Sequence, residues 1–212
     1  MEPQAASCRP GNELAGRRSG FLCASVRVAT ACFVLCAGAV RPAGAQDGPP
    51  PSFEHEVKAS FVYTVARFIE WPEAAFFGPG APFVFVVLGD EAFQESLVHT
   101  VEGKSVGGHP VEVVGVKDPK DLVACQVLFV GRSESARVDD LVERLRGASV
   151  LTVSEAERFA QSGGVLRLGL EENMVRFEIN VDAAERAHLQ ISSKILKLGK
   201  VVRDRKHALG AP

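Results

Sequence analysis

The chain has 212 residues, with 24 Lys and Arg against 26 Asp and Glu and a formal net charge of −2. That balance carries no electrostatic footprint for nucleic acid, and the length is enough for one domain with a real core. Five cysteines and five histidines set the limits on disulfide and metal chemistry.

The N-terminus reads as an export leader. Arg9, Arg17, Arg18 and Arg27 precede the apolar run Val28–Val40, and Ala43-Gly44-Ala45 forms an A-x-A cleavage pattern. A basic region, a short apolar core and a small-residue box together make a secretory signal peptide, expected to be cleaved after Ala45. The apolar run of 13 residues is shorter than the roughly 20 that a spanning helix needs. Arg17-Arg18 is a weak match to twin-arginine export, and neither Cys32 nor Cys36 sits where a lipoprotein cysteine would. Cleavage would remove Cys8, Cys23, Cys32 and Cys36 and leave Cys125 alone. The mature chain then has no intramolecular disulfide, in a compartment that would permit one. Losing five arginines and two glutamates makes it slightly more acidic.

The expected domains are a signal peptide over 1–45, a linker over 46–53, an α/β domain over 54–203 and a flexible tail over 204–212. Ser52 is placed to cap a helix with Glu54 and Glu56 in its first turn. Val57, Phe61, Val65, Phe68 and Ile69 form its apolar stripe, and Pro72 ends it. Pro82–Gly89 is a continuous apolar run that suits a strand buried on both faces. Asp90 caps the next helix, whose face is Phe93, Leu97, Val98 and Val101. His109–Val116 and Gln126–Gly131 are further strands. A helix from Ser135 to Gly147 with Val138, Leu141, Val142 and Leu145 follows, then a strand over Ser149–Ser154 and a short helix over Glu155–Ser162.

The pattern then changes to alternation. Leu166, Leu168 and Leu170 share one face, as do Val175, Phe177, Ile179 and Val181 on the return, so a hairpin with one wet face is expected. A last amphipathic helix is expected with Ile191, Ile195, Leu198 and Val202 inward and Lys194, Lys197 and Lys200 outward. Alternating strands and helices imply a three-layer α/β/α sandwich. Its sheet would be mainly parallel, with the antiparallel hairpin at one edge and a final helix.

Catalytic and metal signatures are not found. Val101–Ser105 ends like a phosphate-binding loop but follows a helix and lacks the first glycine, Val98 standing in its place. The histidines His55, His99, His109, His188 and His207 show no zinc-ligand spacing, and no G-x-S-x-G elbow occurs. Glu171 and Glu172 share a hairpin tip and are expected to be exposed. No catalytic residue, metal or cofactor is therefore assigned. Asp90 and Arg132 lie at strand carboxyl ends, where open α/β sheets bind ligands, and are the candidates for a small-molecule site. The basic run Lys194, Lys197, Lys200, Arg203, Arg205 and Lys206 reads as a solvated helix face, or as a contact for anionic lipid or an acidic partner.

Several segments in order resemble one family: Val57–Pro72 with its Trp71-Pro72 end, Phe83–Phe93, Gly103–Val113, Cys125–Glu134, and Ser149–Leu198 with its "RFEIN" and "ISSKILKL" stretches. The chain is similar to the YfiR-like periplasmic proteins over Glu54 to about Val202. The resemblance implies a non-catalytic repressor, usually dimeric, that binds the periplasmic sensor region of an inner-membrane diguanylate cyclase. Another membrane receptor is possible within so broad a family. Some members carry cysteine pairs that act as a redox lock, which Cys125 alone cannot form within one protomer. Trp71, Phe76 and Phe77, around a Pro/Gly-rich turn, are the candidates for a partner or dimer contact. The alternative function is a periplasmic solute-binding or sensing module, with its ligand near Asp90 and Arg132.

Overall fold

The computed structural model describes residues 51–78, 80–171 and 174–204. The expected leader and cleavage site, Glu172 and the tail beyond Asp204 lie outside the described residues. Helix α1 spans Pro51–Arg67, so the end of the expected linker is already helical and Ser52 lies within the first turn. Its buried face is Lys58, Ala59, Val62, Tyr63, Val65 and Ala66, while Val57 and Phe61 are half-buried; beyond its end Phe68 is exposed and Ile69 buried. The stripe is therefore turned from the expected one. The two alanines let the helix backbone approach the core closely and displace the larger phenylalanines to its flanks.

The helix stops at Arg67, short of Pro72. Strand β1 (Ile69–Glu70) follows and pairs antiparallel with a later strand, Ile69 opposite Ile191. That pairing ends α1 sooner than the proline would. Then come β2 (Phe83–Leu88), α2 (Glu91–Val101), β3 (Ser105–Val106) and β4 (His109–Val116). Asp90 caps α2 as expected, its Oδ1 accepting from the Phe93 amide at 2.9 Å. Val98 is exposed, in contrast to its expected place on the inner face.

Strand β5 (Val127–Val130) leads through a 3-10 segment, Arg132–Arg137, into α3 (Val138–Arg144) and then β6 (Leu151–Ser154). The expected helix over 155–162 is instead a run of turns, with Arg158 at φ 63°. Phe159 is nonetheless fully buried there. The hairpin is β7 (Leu166–Glu171) and β8 (Met174–Asn180), antiparallel with Leu168 opposite Phe177. Asn180 caps α4 (Val181–Arg186) by accepting from the Ala183 amide at 3.0 Å.

After β9 (Gln190–Ile191), the final helix is a single turn, α5 (Ser193–Leu196), and the chain ends in a strand, β10 (Lys200–Val202). Of the expected inward stripe only Ile195 is fully buried, and Leu198 is exposed. Gly199 accounts for the change of direction. A Cβ there would lie 2.2 Å from the Phe177 ring, so only glycine lets the backbone cross that ring and join the sheet.

The main sheet has eight strands in the order β10-β8-β7-β6-β5-β2-β4-β3. β4, β2, β5, β6 and β7 run parallel. β3 is antiparallel to β4 and β8 to β7, and β10 pairs parallel with β8 as the edge strand. One face carries Phe83, Phe85, Phe129 and Leu166 under α1 and α2. The other carries Val86, Leu128 and Val130 under α3 and Phe159. This is the expected α/β/α sandwich.

Candidate functional site

The aromatic turn after α1 sits at the amino ends of β2, β4 and β5. Its backbone is held by Gln126, which is buried just before β5. The Gln126 side chain accepts from the Val84 amide at 2.7 Å and donates to the Ala75 carbonyl. A short 3-10 turn, Glu73–Ala75, follows Pro72. Trp71 is half-buried, its indole N–H donating to the Ala66 carbonyl at 3.0 Å and its ring meeting Phe83 edge-on at 5.1 Å. Phe76 stacks on the His109 ring at 4.0 Å with only 9° between planes, while His109 Nδ1 lies 2.6 Å from the Ala81 carbonyl. Two of the three expected contact residues therefore brace the turn against the core. Phe77 does not: it is 83% exposed, the most exposed large apolar residue among those described.

The carboxyl ends of the strands look different. Chain order reverses across β2 and β5, which makes this the switch point where open sheets admit ligands. Here the two strands close upon each other. Gly89 has φ 73°, and a Cβ on Gly131 would stand 2.8 Å from the Gly89 carbonyl. Ser133 Oγ donates to that same carbonyl at 2.8 Å. Asp90 spends an oxygen on the α2 cap.

Arg132 is drawn to Glu155, and its Nη2 lies 3.9 Å from Glu54. Beneath it Lys58, only 1% exposed, forms ion pairs with both Glu54 and Glu155. The hydrogen bond from Lys58 holds the Glu54 carboxyl below its ordinary value, against the opposing effect of partial burial. Asp90 and Arg132 stand on adjoining loops, Gly131 packing against Asp90, but only Asp90 lines an opening. Each is committed to a structural partner. A shallow pocket beside Asp90 is lined by Gln94, Gly115 and Lys117, and its rim is bridged by a Lys117–Glu91 ion pair of 2.7 Å.

Lys58 and Glu155 were not legible as partners, because their contact depends on the crossing of α1 over β6. The pair Glu54 and Lys58, four residues apart on a helix, was the available signal. Cys125 is half-buried beside the second core face, and burial pushes its thiol up to about 12. Burial thus disfavours the thiolate, the nucleophilic form of the group. Among the described residues no group of three or more His, Cys, Asp or Glu could hold a metal ion. No described helix is long and apolar enough to cross a membrane.

A family model, YfiR/HmsC-like, matches residues 55–200. The chain belongs to the YfiR/HmsC-like family. The matched stretch starts inside α1 and ends at the first residue of β10, so it takes in the aromatic turn, the closed switch point and the hairpin. YfiR-like proteins are periplasmic regulators and not catalysts. No curated protein matches the sequence.

Proposed function

We propose that this YfiR-like protein is a non-catalytic periplasmic regulator that binds the sensor region of an inner-membrane diguanylate cyclase and represses it. Family membership across nearly the whole domain carries the reading. A regulator of this kind works by binding one state of its receptor more tightly than the other, which needs surface and not a nucleophile. Phe77 supports such a surface. An exposed aromatic on a turn braced by Trp71, Phe76 and Gln126 is an anchor on a backbone already held in place, so that binding has little backbone to order. The leader delivers the chain to the periplasm and is removed after Ala45, and the active form is a homodimer. Solute binding at Asp90 and Arg132 gains no support from a switch point closed by glycine contacts and ion pairs.

The experiment is a gene deletion combined with site-directed photocrosslinking from position 77 in intact cells. Deletion should raise cyclic di-GMP and surface attachment, and the crosslink should recover a cyclase of the inner membrane. Unchanged cyclic di-GMP would sink the cyclase assignment. A crosslink at 77 to another membrane receptor would keep the surface and replace the partner.

A further inference from the structure

The outer face of the hairpin carries an arginine whose Nε is left without a hydrogen-bond partner among the described residues. Arg167 of β7 stands directly opposite Glu178 of β8, a register that brings opposite charges together on one face. No ion pair forms between them. Glu178 is already engaged on both oxygens, by Lys200 from β10 at 2.8 Å and by the Gln161 amide at 2.7 Å. Burial raises the Glu178 carboxyl, but those two hydrogen bonds, with the attraction of Lys200 and Arg167, outweigh it and hold the group below its ordinary value. Arg167 has no ion-pair partner among the described residues, and its Nε is buried with no hydrogen-bond partner. An arginine N–H removed from water and left unpaired is costly.

Three features make the place open to a ligand. Arg167 extends along the strand over Gly169, where a Cβ would meet nothing nearer than 3.8 Å and would lie 3.9 and 4.0 Å from the two guanidinium nitrogens. Arg176 stands opposite Gly169 on the same face and is exposed. Glu171, also exposed, is the other described acid of this face of the hairpin and makes no ion pair. Two arginines therefore flank a side-chain-free position, and the guanidinium fork matches the geometry of an oxyanion.

We propose that Arg167, Arg176 and the space over Gly169 form a binding site for the oxyanion group, carboxylate or phosphate, of a small effector. The site goes beyond the contact proposed at Phe77. It lies on the hairpin, needs no second protein, and gives the regulator an input separate from its partner-binding turn.

The test is titration of the purified mature protein with inorganic phosphate and, separately, with succinate. Backbone amide NMR shifts are followed at constant ionic strength. Saturable shifts centred on β7 and β8 are expected with at least one probe, and the two arms distinguish phosphate from carboxylate recognition. Arg167→Gln should weaken binding at least tenfold and Arg176→Gln severalfold, whereas Arg146→Gln, on α3's side and already paired with Glu143, should leave it unchanged. Gly169→Asp supplies a carboxylate from within. It should abolish binding and raise the melting temperature by about 2 °C or more, an outcome that Arg167→Gln misfolding would not obscure. Shifts that fail to saturate with both probes, or binding that survives both Arg167→Gln and Gly169→Asp, would overturn the proposal.

Discussion

At the carboxyl ends of β2 and β5, four charged side chains and two glycines fill the place where an α/β sheet usually admits a ligand. At the amino ends of the same strands, an aromatic turn is pinned by one glutamine and leaves a phenylalanine ring in water. Both ends are rigid, but their chemistry is opposite. The first satisfies itself: Lys58, Glu54, Glu155 and Arg132 balance one another in ion pairs. The second is satisfied except for Phe77. The proposed function, regulation by contact, draws on the second kind of end.

The contrast can be broken most forcefully at Lys58. Lys58→Met leaves Glu54 and the buried Glu155 without their shared cation, and removing one partner of a buried ion pair costs about 3 kcal/mol or more. Urea denaturation should show that loss, and a change below about 1 kcal/mol would mean that the carboxylates do not depend on Lys58. At the other end the two phenylalanines should separate. Phe76→Ala removes the ring stacked on His109 and should cost about 2 kcal/mol, less than a fully buried phenylalanine because the site is half-exposed. Phe77→Ala should change stability by no more than about 0.5 kcal/mol and yet abolish capture of the membrane partner. Equal stability losses for the two would place Phe77 in the core and remove it as an anchor.

The smallest effect is on pH. The folded Glu54 carboxyl titrates below its ordinary value of 4.5, so the unfolded chain binds this proton more readily than the folded one. Its stabilising contribution is thus complete above that value and is lost as pH falls through the folded pKa. Glu54→Gln should cost under about 1 kcal/mol at pH 7, since the carboxylate is partly exposed. It should also flatten the decline in urea midpoint below pH 4.5. An unchanged slope would show that Glu54 adds nothing to the acid response.

Much of this was readable from the sequence. The strands β2, β4 and β5 are continuous apolar runs that only a two-sided core can use. Asp90 precedes α2 as a cap should, and the leucines of β7 alternate against Phe177 and Ile179. The failures share a cause. α1 was phased on its phenylalanines, and the structure chose the alanines, because close approach to a sheet rewards small side chains that periodicity alone does not weigh. The last helix was drawn through Gly199, whose lack of a side chain matters only because the Phe177 ring lies across its path. In the candidate site, the aromatic turn was visible as Trp71, Phe76 and Phe77. Which of the three faces water was not.

The sequence by itself determined the central strands and helices from α1 to β6, the Asp90 cap, the alternating hairpin and the family, since each is written in local spacing or in linear motifs. Tertiary structure decided the rest. It brought Lys58 to Glu155 across 97 residues, closed the switch point with Gly89 against Gly131, left the Phe77 ring exposed, and left the Arg167 Nε without a hydrogen-bond partner among the described residues. Such outcomes depend on which surfaces meet when distant segments pack, and no window along the chain contains both sides of those contacts.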